Sequence, residues 1–412
     1  MPKQTALALD RARAHWYVRQ ALTAAHPGPI EDVLAATGWG RTLGGVDVYL
    51  ALRARKPDMT RAELDSAVEA SRAQVIPAAR GCIYLVPRAH VPLALRIAEE
   101  LARKRLDAEL VKAGVKPGEM EALGKQIVKT LRAPLGTDAL RKALPAGAVR
   151  SLGEQGKKIG ISSTLPPALR LLEFEGAIER TLEGGRLDTE RYLWRVPAKS
   201  PFAGARVPSD APARHAELAG IFAAQFGPVS TADFASWSGF SKRVAQAAIE
   251  RRGLAPVRVD GYAEEAWALE EDLPVLAKPA RDVAAVSFLS FEDGYLTPHG
   301  GTAAVTDPRY HQREMKSWGM PGKTKLGEAA HIQTRAMVLD GLIAGFWEYD
   351  AAQREVVYAP FEPLPAKRKP EVKRAAQQVA AFIGDQLGHA RSFSLDTDEL
   401  VRQRAADIRQ QA

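Results

Sequence analysis

A glutamate and an aspartate beside a glycine are the first residues in this chain whose types and spacing could do chemistry. In "SFLSFEDGYLTPHGG" an apolar run delivers Glu292 and Asp293 to Gly294. Either carboxylate could orient a water molecule as a general base, and an aspartate before glycine could equally form the turn itself. A second stretch, "TGWGRTLGGVDVYLALRAR" (residues 37–55), sets Trp39 and Arg41 among glycines and brings Asp47 to the head of an apolar run. It lacks the lysine of a phosphate loop and the strand-before, helix-after context with a distal acid that dinucleotide loops require. A turn whose glycines permit positive φ and close packing is the expected reading.

Other chemistries find no support in the sequence. One cysteine, Cys82, and eight scattered histidines give no His-Glu-x-x-His and no paired-cysteine spacing, so no metal and no cofactor is expected. There is no G-x-S-x-G elbow and no G-x-x-x-x-G-K-[ST] loop.

The elements that must position these residues follow a loosely repeated order of helix, helix and hairpin, the order of a winged helix-turn-helix. In "ISSTLPPALRLLEFEGAIERTLEGGRLDTERYLWRV", Ser163 or Thr164 can cap a helix that Pro166 and Pro167 enter, and a hairpin turns at Gly184-Gly185. In "GPVSTADFASWSGFSKRVAQAAIERRGLAPVRVDGYAEEAWAL", Ser230 and Asp233 have capping-box spacing, Ser241 can cap a second helix ending at Gly253, and Asp260-Gly261 turns the hairpin. An earlier copy, "MTRAELDSAVEASRAQVIPAARGCIYLVP", has Thr60 and Glu63 at capping-box spacing and takes its preceding helix from "VDVYLALRAR". After about residue 280 the pattern turns to strands, read as a small β-barrel or curled sheet, and it ends in a helix with Val372, Ala376, Val379 and Phe382 on one face. The fold class expected is α+β, mainly α: three tandem winged helix-turn-helix units plus a C-terminal small β-barrel with a terminal helix. The boundaries are 1–115, 116–200, a linker at 201–213, 214–278 and 279–412.

Length and charge agree with several domains and a polyanionic partner. The chain has 412 residues, and 57 Lys+Arg against 49 Asp+Glu give a formal charge of +8. Candidate phosphate-binding side chains cluster near the repeats: Lys157, Lys158 and Arg170 in the second unit, and Lys242, Arg243, Arg251 and Arg252 in the third. Arg80 stands in the first, and "HQREMKSWGMPGKTKLG" adds Lys316, Lys323 and Lys325 with Trp318. Each of these could also be part of a solvated basic face. A lone cysteine and the lack of a long apolar span lead to an expected cytoplasmic, nucleoid-associated protein with no membrane contact.

Tandem winged helices followed by strands, together with "RGCIYLVP", "SFLSFEDGYL" and "GLIAGFWEYD…VVYAPFEPL", resemble the winged-helix DNA glycosylases that excise alkylated or crosslinked purines, the AlkZ-like family. The resemblance runs over nearly the whole chain. The family's hairpin motif is matched by Arg80, Gly81, Leu85, Val86 and Pro87, with Tyr84 where histidine is usual, and its D-x-Y by Asp293 and Tyr295. The resemblance implies a C-shaped clamp on double-stranded DNA and metal-independent hydrolysis of the N-glycosidic bond of a cationic N7-alkylpurine. It also places the family's Gln-x-Gln or Gln-x-Asp at Arg41-Thr42-Leu43, where neither glutamine is present. Arginine has no hydrogen-bond acceptor and repels a cationic transition state, and leucine offers neither donor nor acceptor. The expectation is therefore a monomeric protein that binds duplex, alkylated or crosslinked DNA with Trp39 stacking on a base and Arg41 on a phosphate, and with weak or lost glycosylase activity. One alternative is an active monofunctional glycosylase in which Asp293 or Asp47 positions water. Another is a winged-helix transcriptional regulator.

Overall fold

Strand β1 (Thr5–Leu7) and helix α1 (Leu9–Arg19) precede the first of three units built in one order. This computed structural model describes residues 5–262, 265–278, 283–316, 322–330, 332 and 334–411. The first unit runs α2 (Ile30–Thr37), β2 (Gly40–Arg41), α3 (Asp47–Arg55), α4 (Arg61–Glu69) and the hairpin of β3 (Ala73–Pro77) and β4 (Ile83–Pro87). Its sheet order is β2-β4-β3, so the short first strand flanks the second strand of the hairpin.

A long helix, α5 (Val91–Lys112), leads to the second unit: α6 (Glu119–Thr130), α7 (Thr137–Ala143), α8 (Gly153–Lys158), α9 (Leu165–Phe174), β5 (Glu179–Leu182) and β6 (Tyr192–Arg195). Leu135 bridges Trp194 of β6, taking the place that β2 has in the first unit. The third unit is α10 (Ala211–Phe226), β7 (Val229–Ser230), α11 (Thr231–Ser238), α12 (Lys242–Arg252), β8 (Ala255–Val259) and β9 (Ala266–Ala268), again with the first strand beside the last.

Local side-chain chemistry caps three of the four helices at which a cap was expected. Thr60 accepts from the Glu63 amide, Ser230 and Asp233 make a reciprocal capping box, and Ser241 accepts from the Val244 amide. Thr164 differs: it stands at the N-cap of α9, but its hydroxyl accepts from the Arg150 amide at 3.0 Å instead of capping. Gly253 closes α12 at φ 72°, a left-handed conformation that favours glycine.

The N-terminal segment does not stay with the first unit, as the 1–115 boundary assumed. Strand β1 pairs in parallel with β8, Thr5 opposite Val257, and Leu7, Ala12, Trp16 and Tyr17 share a core with Val257 and Val259. A strand pairing across some 250 residues leaves no local trace in the sequence.

The last region contains α13 (Leu273–Leu276), β10 (Val286–Leu289), a hairpin of β11 (Glu314–Lys316) and β12 (Lys323–Lys325), then β13 (Ala336–Leu339), β14 (Leu342–Asp350) and β15 (Glu355–Pro360), followed by α14 (Lys369–Phe382) and α15 (Asp398–Arg409). Where a small barrel was expected, the described residues form an open antiparallel sheet, β10-β13-β14-β15, whose edge strands β10 and β15 do not pair. Val372, Ala376 and Phe382 of α14 are buried, while Val379 packs at the edge of that core. Helix α15 was not anticipated, and it packs on β14. Val46, Val48 and Tyr49 belong to the same core as Phe288, Trp347 and Val372, so the sheet and the first unit are sealed together. The loop after β10 lies at that seam. No helix among the described residues is long and apolar enough to cross a membrane.

Candidate active site at the seam of the first unit and the sheet

Strand β2 is two residues long, and its second residue, Arg41, lies opposite Tyr84 of β4. From there the Arg41 guanidinium reaches the loop after β10. Its Nη1 donates to Glu292 Oε2 at 2.5 Å, with the two side chains 29% and 11% exposed. Glu292 has a left-handed backbone, φ 51°, a conformation that costs a non-glycine residue about 1 kcal/mol or more and is held here by its surroundings. Its amide donates to the Ile332 carbonyl at 3.3 Å.

The two neighbouring aspartates provide much of that hold. Asp293, expected to orient water, is wholly enclosed: Arg55 binds it through two nitrogens at 2.8 and 2.9 Å, and the Tyr295 amide donates to Oδ1 at 2.9 Å. Gln20 completes the group, accepting from Arg55 at 2.6 Å and donating to the carbonyls of Thr37 and Gln225. Asp47, the other expected catalytic acid, accepts from the Phe291 amide at 3.0 Å and from Arg335 Nε at 3.1 Å. Arg335 is itself buried and also binds Glu348, the Ala390 carbonyl and Ser392. Asp47 thus anchors the backbone one residue before Glu292, and Asp293 anchors it just after. Tyr295 of the D-x-Y match is buried, its hydroxyl donating to the Gly341 carbonyl.

Trp39 departs from its expected role as a base-stacking wedge, being only 7% exposed. Its Nε1 donates to His90 Nδ1 at 3.2 Å, and its ring packs on Trp237 at 5.1 Å and Tyr84 at 6.3 Å. Burial pushes the His90 ring below its ordinary value, which suits a neutral imidazole accepting that bond. Arg80 is exposed at the tip of the β3–β4 hairpin, again with a left-handed backbone, and its Nη2 reaches the Tyr84 hydroxyl at 3.4 Å. A Cβ added at Gly239 would stand 3.0 Å from the Arg80 Cα, so this tip rests on the turn between α11 and α12.

The glycines of residues 38–45 serve close packing, as their turn reading supposed. A Cβ at Gly45 would lie 2.3 Å from the Ser392 carbonyl carbon. Residues 391–394 run alongside, with Val46 donating to the Arg391 carbonyl and Ser394 to that of Leu43. Thr42 is buried, its hydroxyl donating to the Ile83 carbonyl, and Leu43 is half-buried.

The expected DNA-binding cations lie in several places. Lys157 and Lys158 are exposed in the last turn of α8, with Lys157 paired to Glu154. Arg170 is half-buried on α9. Lys242 and Arg243 are exposed in the first turn of α12, and Arg251 and Arg252 in its last turn, Arg251 facing Asp210 at 3.5 Å. Lys323 pairs with Glu314 and Lys325 with Glu328. The Lys316 side chain and Trp318 lie outside the described residues. No group of three or more potential metal ligands occurs among the described residues.

Sequence reasoning missed the partners Arg55 and Arg335. An arginine at the end of the apolar run "VDVYLAL" was the available signal, because a buried arginine requires a counter-charge.

Three like-ordered helical units joined to an antiparallel sheet define a mixed α/β protein with a charged seam between units and sheet. The chain belongs to the AlkZ-like DNA glycosylase family, whose model, "DNA glycosylase AlkZ-like", matches residues 45–382. The matched span begins at Gly45, just beyond Arg41-Thr42-Leu43. Among solved structures, the Streptomyces sahachiroi DNA glycosylase AlkZ superposes with a TM-score of 0.66 at 18% identity, covering 91% of this chain and 97% of that one. No curated protein matches. The family is one of DNA-repair proteins, and DNA is the partner it implies.

Proposed function

We propose that the protein binds double-stranded DNA, alkylated or crosslinked duplex in particular, through three winged helix-turn-helix units, and that its chemistry departs from the family's glutamine route. The observation that supports this reading is the recurrence of one order, helices and then a hairpin whose last strand is flanked by a short strand in the first and third units and by the single Leu135 bridge in the second, with exposed lysines and arginines on the units. In this reading α4, α9 and α12 are the recognition-type helices. Lys242 and Arg243 enter the phosphate field at the N-terminus of α12, where backbone amides also favour an anion. Arg80, at the tip that touches the third unit, lies between two DNA-facing units. Asp47 and Asp293 are structural anchors in this reading, because each already satisfies a buried arginine.

A mobility-shift series against salt tests the proposal. Duplex affinity should fall steeply with salt, and Lys242→Ala/Arg243→Ala should reduce the logarithmic slope by about one for each phosphate left without its cation. Failure to bind duplex at low salt, or binding without a slope, would sink it. A strong preference for one unmodified sequence would point to a transcriptional regulator instead.

Asp47 and Asp293, each enclosed with an arginine, leave little room to orient a water molecule. Glu292 stands at the same seam, with a part-exposed partner, and favours the second reading, an active glycosylase.

A further inference from the structure

We propose that the three units meet the duplex with different elements: of the three recognition-type helices only α12 lays its outer face in a groove of double-stranded DNA, and the tip of the β3–β4 hairpin extends that face from the first unit. Helices α4 and α9 are closed to the DNA. The inference deepens the DNA-binding reading above and rests on it.

Burial separates the three helices. Seven of the ten residues of α9 are buried, Glu173 and Phe174 among them, because α9 packs against both α5 and α6. Helix α4 is covered from the second unit. The Leu187 amide, in the connection between β5 and β6, donates to Asp65 Oδ1 at 3.2 Å and to the Tyr49 hydroxyl at 3.0 Å, and the Leu187 side chain joins the core that holds Leu64 and Val68. In α12 only Ala245, Ala248 and Ile249 of eleven residues are buried.

Charge separates the helices in the same order. Helix α4 sets one arginine, Arg61, against Glu63, Asp65 and Glu69, and α9 sets Arg170 against Glu173. Helix α12 sets Lys242, Arg243, Arg251 and Arg252 against Glu250 alone. A phosphate backbone is repelled by the first balance, indifferent to the second and drawn to the third. Glu250 is itself engaged, accepting from Gln246 at 2.8 Å, and Arg251 stays 53% exposed beside Asp210.

The exposed residues Arg243, Ala247 and Arg251 follow one another at i, i+4, so they form one strip along α12. The alanine at its centre lets a groove wall approach the helix closely. Helix α12 has no aromatic residue on which the bases of a single strand could stack, and the strip therefore fits a duplex. Arg80 adds to the strip from the first unit. A Cβ at Gly239, in the turn that leads into α12, would stand 3.0 Å from the Arg80 Cα, so the exposed hairpin tip lies against the entrance of the helix.

One glutamate placed at an exposed position of each helix tests the assignment, with the full chain and an unmodified duplex in a mobility shift at fixed salt. Ala247→Glu on α12 should weaken binding by about tenfold or more. Ser66→Glu on α4 and Pro166→Glu on α9 add the same charge at exposed positions and should change affinity by less than about twofold. Ala247→Arg should bind more tightly, a gain that a damaged fold does not produce. Arg80→Ala should lower the logarithmic salt slope by about one. Duplex binding that Ala247→Glu leaves unchanged, or equal losses from all three glutamates, overturns this inference and leaves the DNA-binding reading intact. No duplex binding by the natural protein overturns both.

Discussion

Consecutive residues of one loop, Glu292 and Asp293, each meet an arginine, and the two pairs differ in almost everything else. Asp293 and Arg55 are enclosed, joined by two hydrogen bonds and extended by Gln20. Glu292 and Arg41 share one hydrogen bond, with the glutamate side chain 11% and the arginine side chain 29% exposed. An enclosed, doubly bonded pair has little freedom and holds three segments in register: the C-cap of α1, α3 and the loop after β10. A part-exposed pair that shares one bond gains less from its partner than an enclosed, doubly bonded one. An arginine beside an acid therefore marks neither a site nor a brace by itself. Burial and the number of shared hydrogen bonds decide which one it is.

The distinction collapses most visibly if the inner pair proves weak. Replacing Asp293 by asparagine leaves the Arg55 charge buried without a counter-charge, which should cost about 3–5 kcal/mol, read as a lower denaturant midpoint. Replacing both, as Arg55→Met/Asp293→Leu, should recover a large part of that loss, because an uncompensated charge costs more than a missing pair. A single variant within about 1 kcal/mol of the natural protein would place the inner pair in the same class as the outer one.

A third buried titratable group, paired with no arginine, extends the contrast. His299 is 1% exposed and stacks on Trp16 at 3.8 Å, and burial pushes its ring down to about 3. The folded protein therefore keeps this histidine neutral, while the unfolded chain binds a proton below about pH 6.5. Stability from this group is fully present above that value and is lost as pH falls, by about 1.4 kcal/mol per pH unit until the folded value is reached. Between pH 6.5 and 4.5 the loss is about 3 kcal/mol. His299→Asn, which tolerates the left-handed backbone at φ 73°, should be less stable at pH 7 and show a flatter dependence over that window in denaturant titrations. An unchanged slope would show that another group governs acid unfolding.

These contrasts mark the limit of what local sequence patterns carry. The cap residues Thr60, Ser230 and Ser241 were legible because the atoms they satisfy lie three residues away. The hairpins were legible from alternation and glycine turns, although residues 183–191 make a longer connection than a tight turn. The acidic pair was legible as chemistry, but not its division of labour. Arg55 and Asp293 are 238 residues apart, and Arg41 and Glu292 are 251 apart. Nothing within either segment specifies which carboxylate turns inward. Trp39 was misread for a related reason: the rings that cover it, Trp237 and Tyr84, come from another unit and another strand. The sheet that is open among the described residues was expected as a small barrel or curled sheet because strand alternation reports a face and not closure.

The smallest expected effect on stability tests the outer pair. Glu292→Gln removes a charge from a part-exposed ion pair and keeps the side-chain length, so it should change stability by about 1 kcal/mol or less. Under the second reading, an active glycosylase that uses Glu292, the same substitution should lower single-turnover scission of a duplex carrying N7-methylguanine about 100-fold, which corresponds to about 2.7 kcal/mol of transition-state stabilisation. The two numbers together separate the roles. A residue kept for structure loses stability and activity in step, as the Asp293 variant should, while a residue kept for chemistry loses activity alone. Denaturant midpoints and single-turnover scission measured on the Glu292→Gln and Asp293→Asn variants in parallel place each residue on one side. If Glu292→Gln proves as destabilising as Asp293→Asn, the two pairs are one brace and the seam has no separate chemical half.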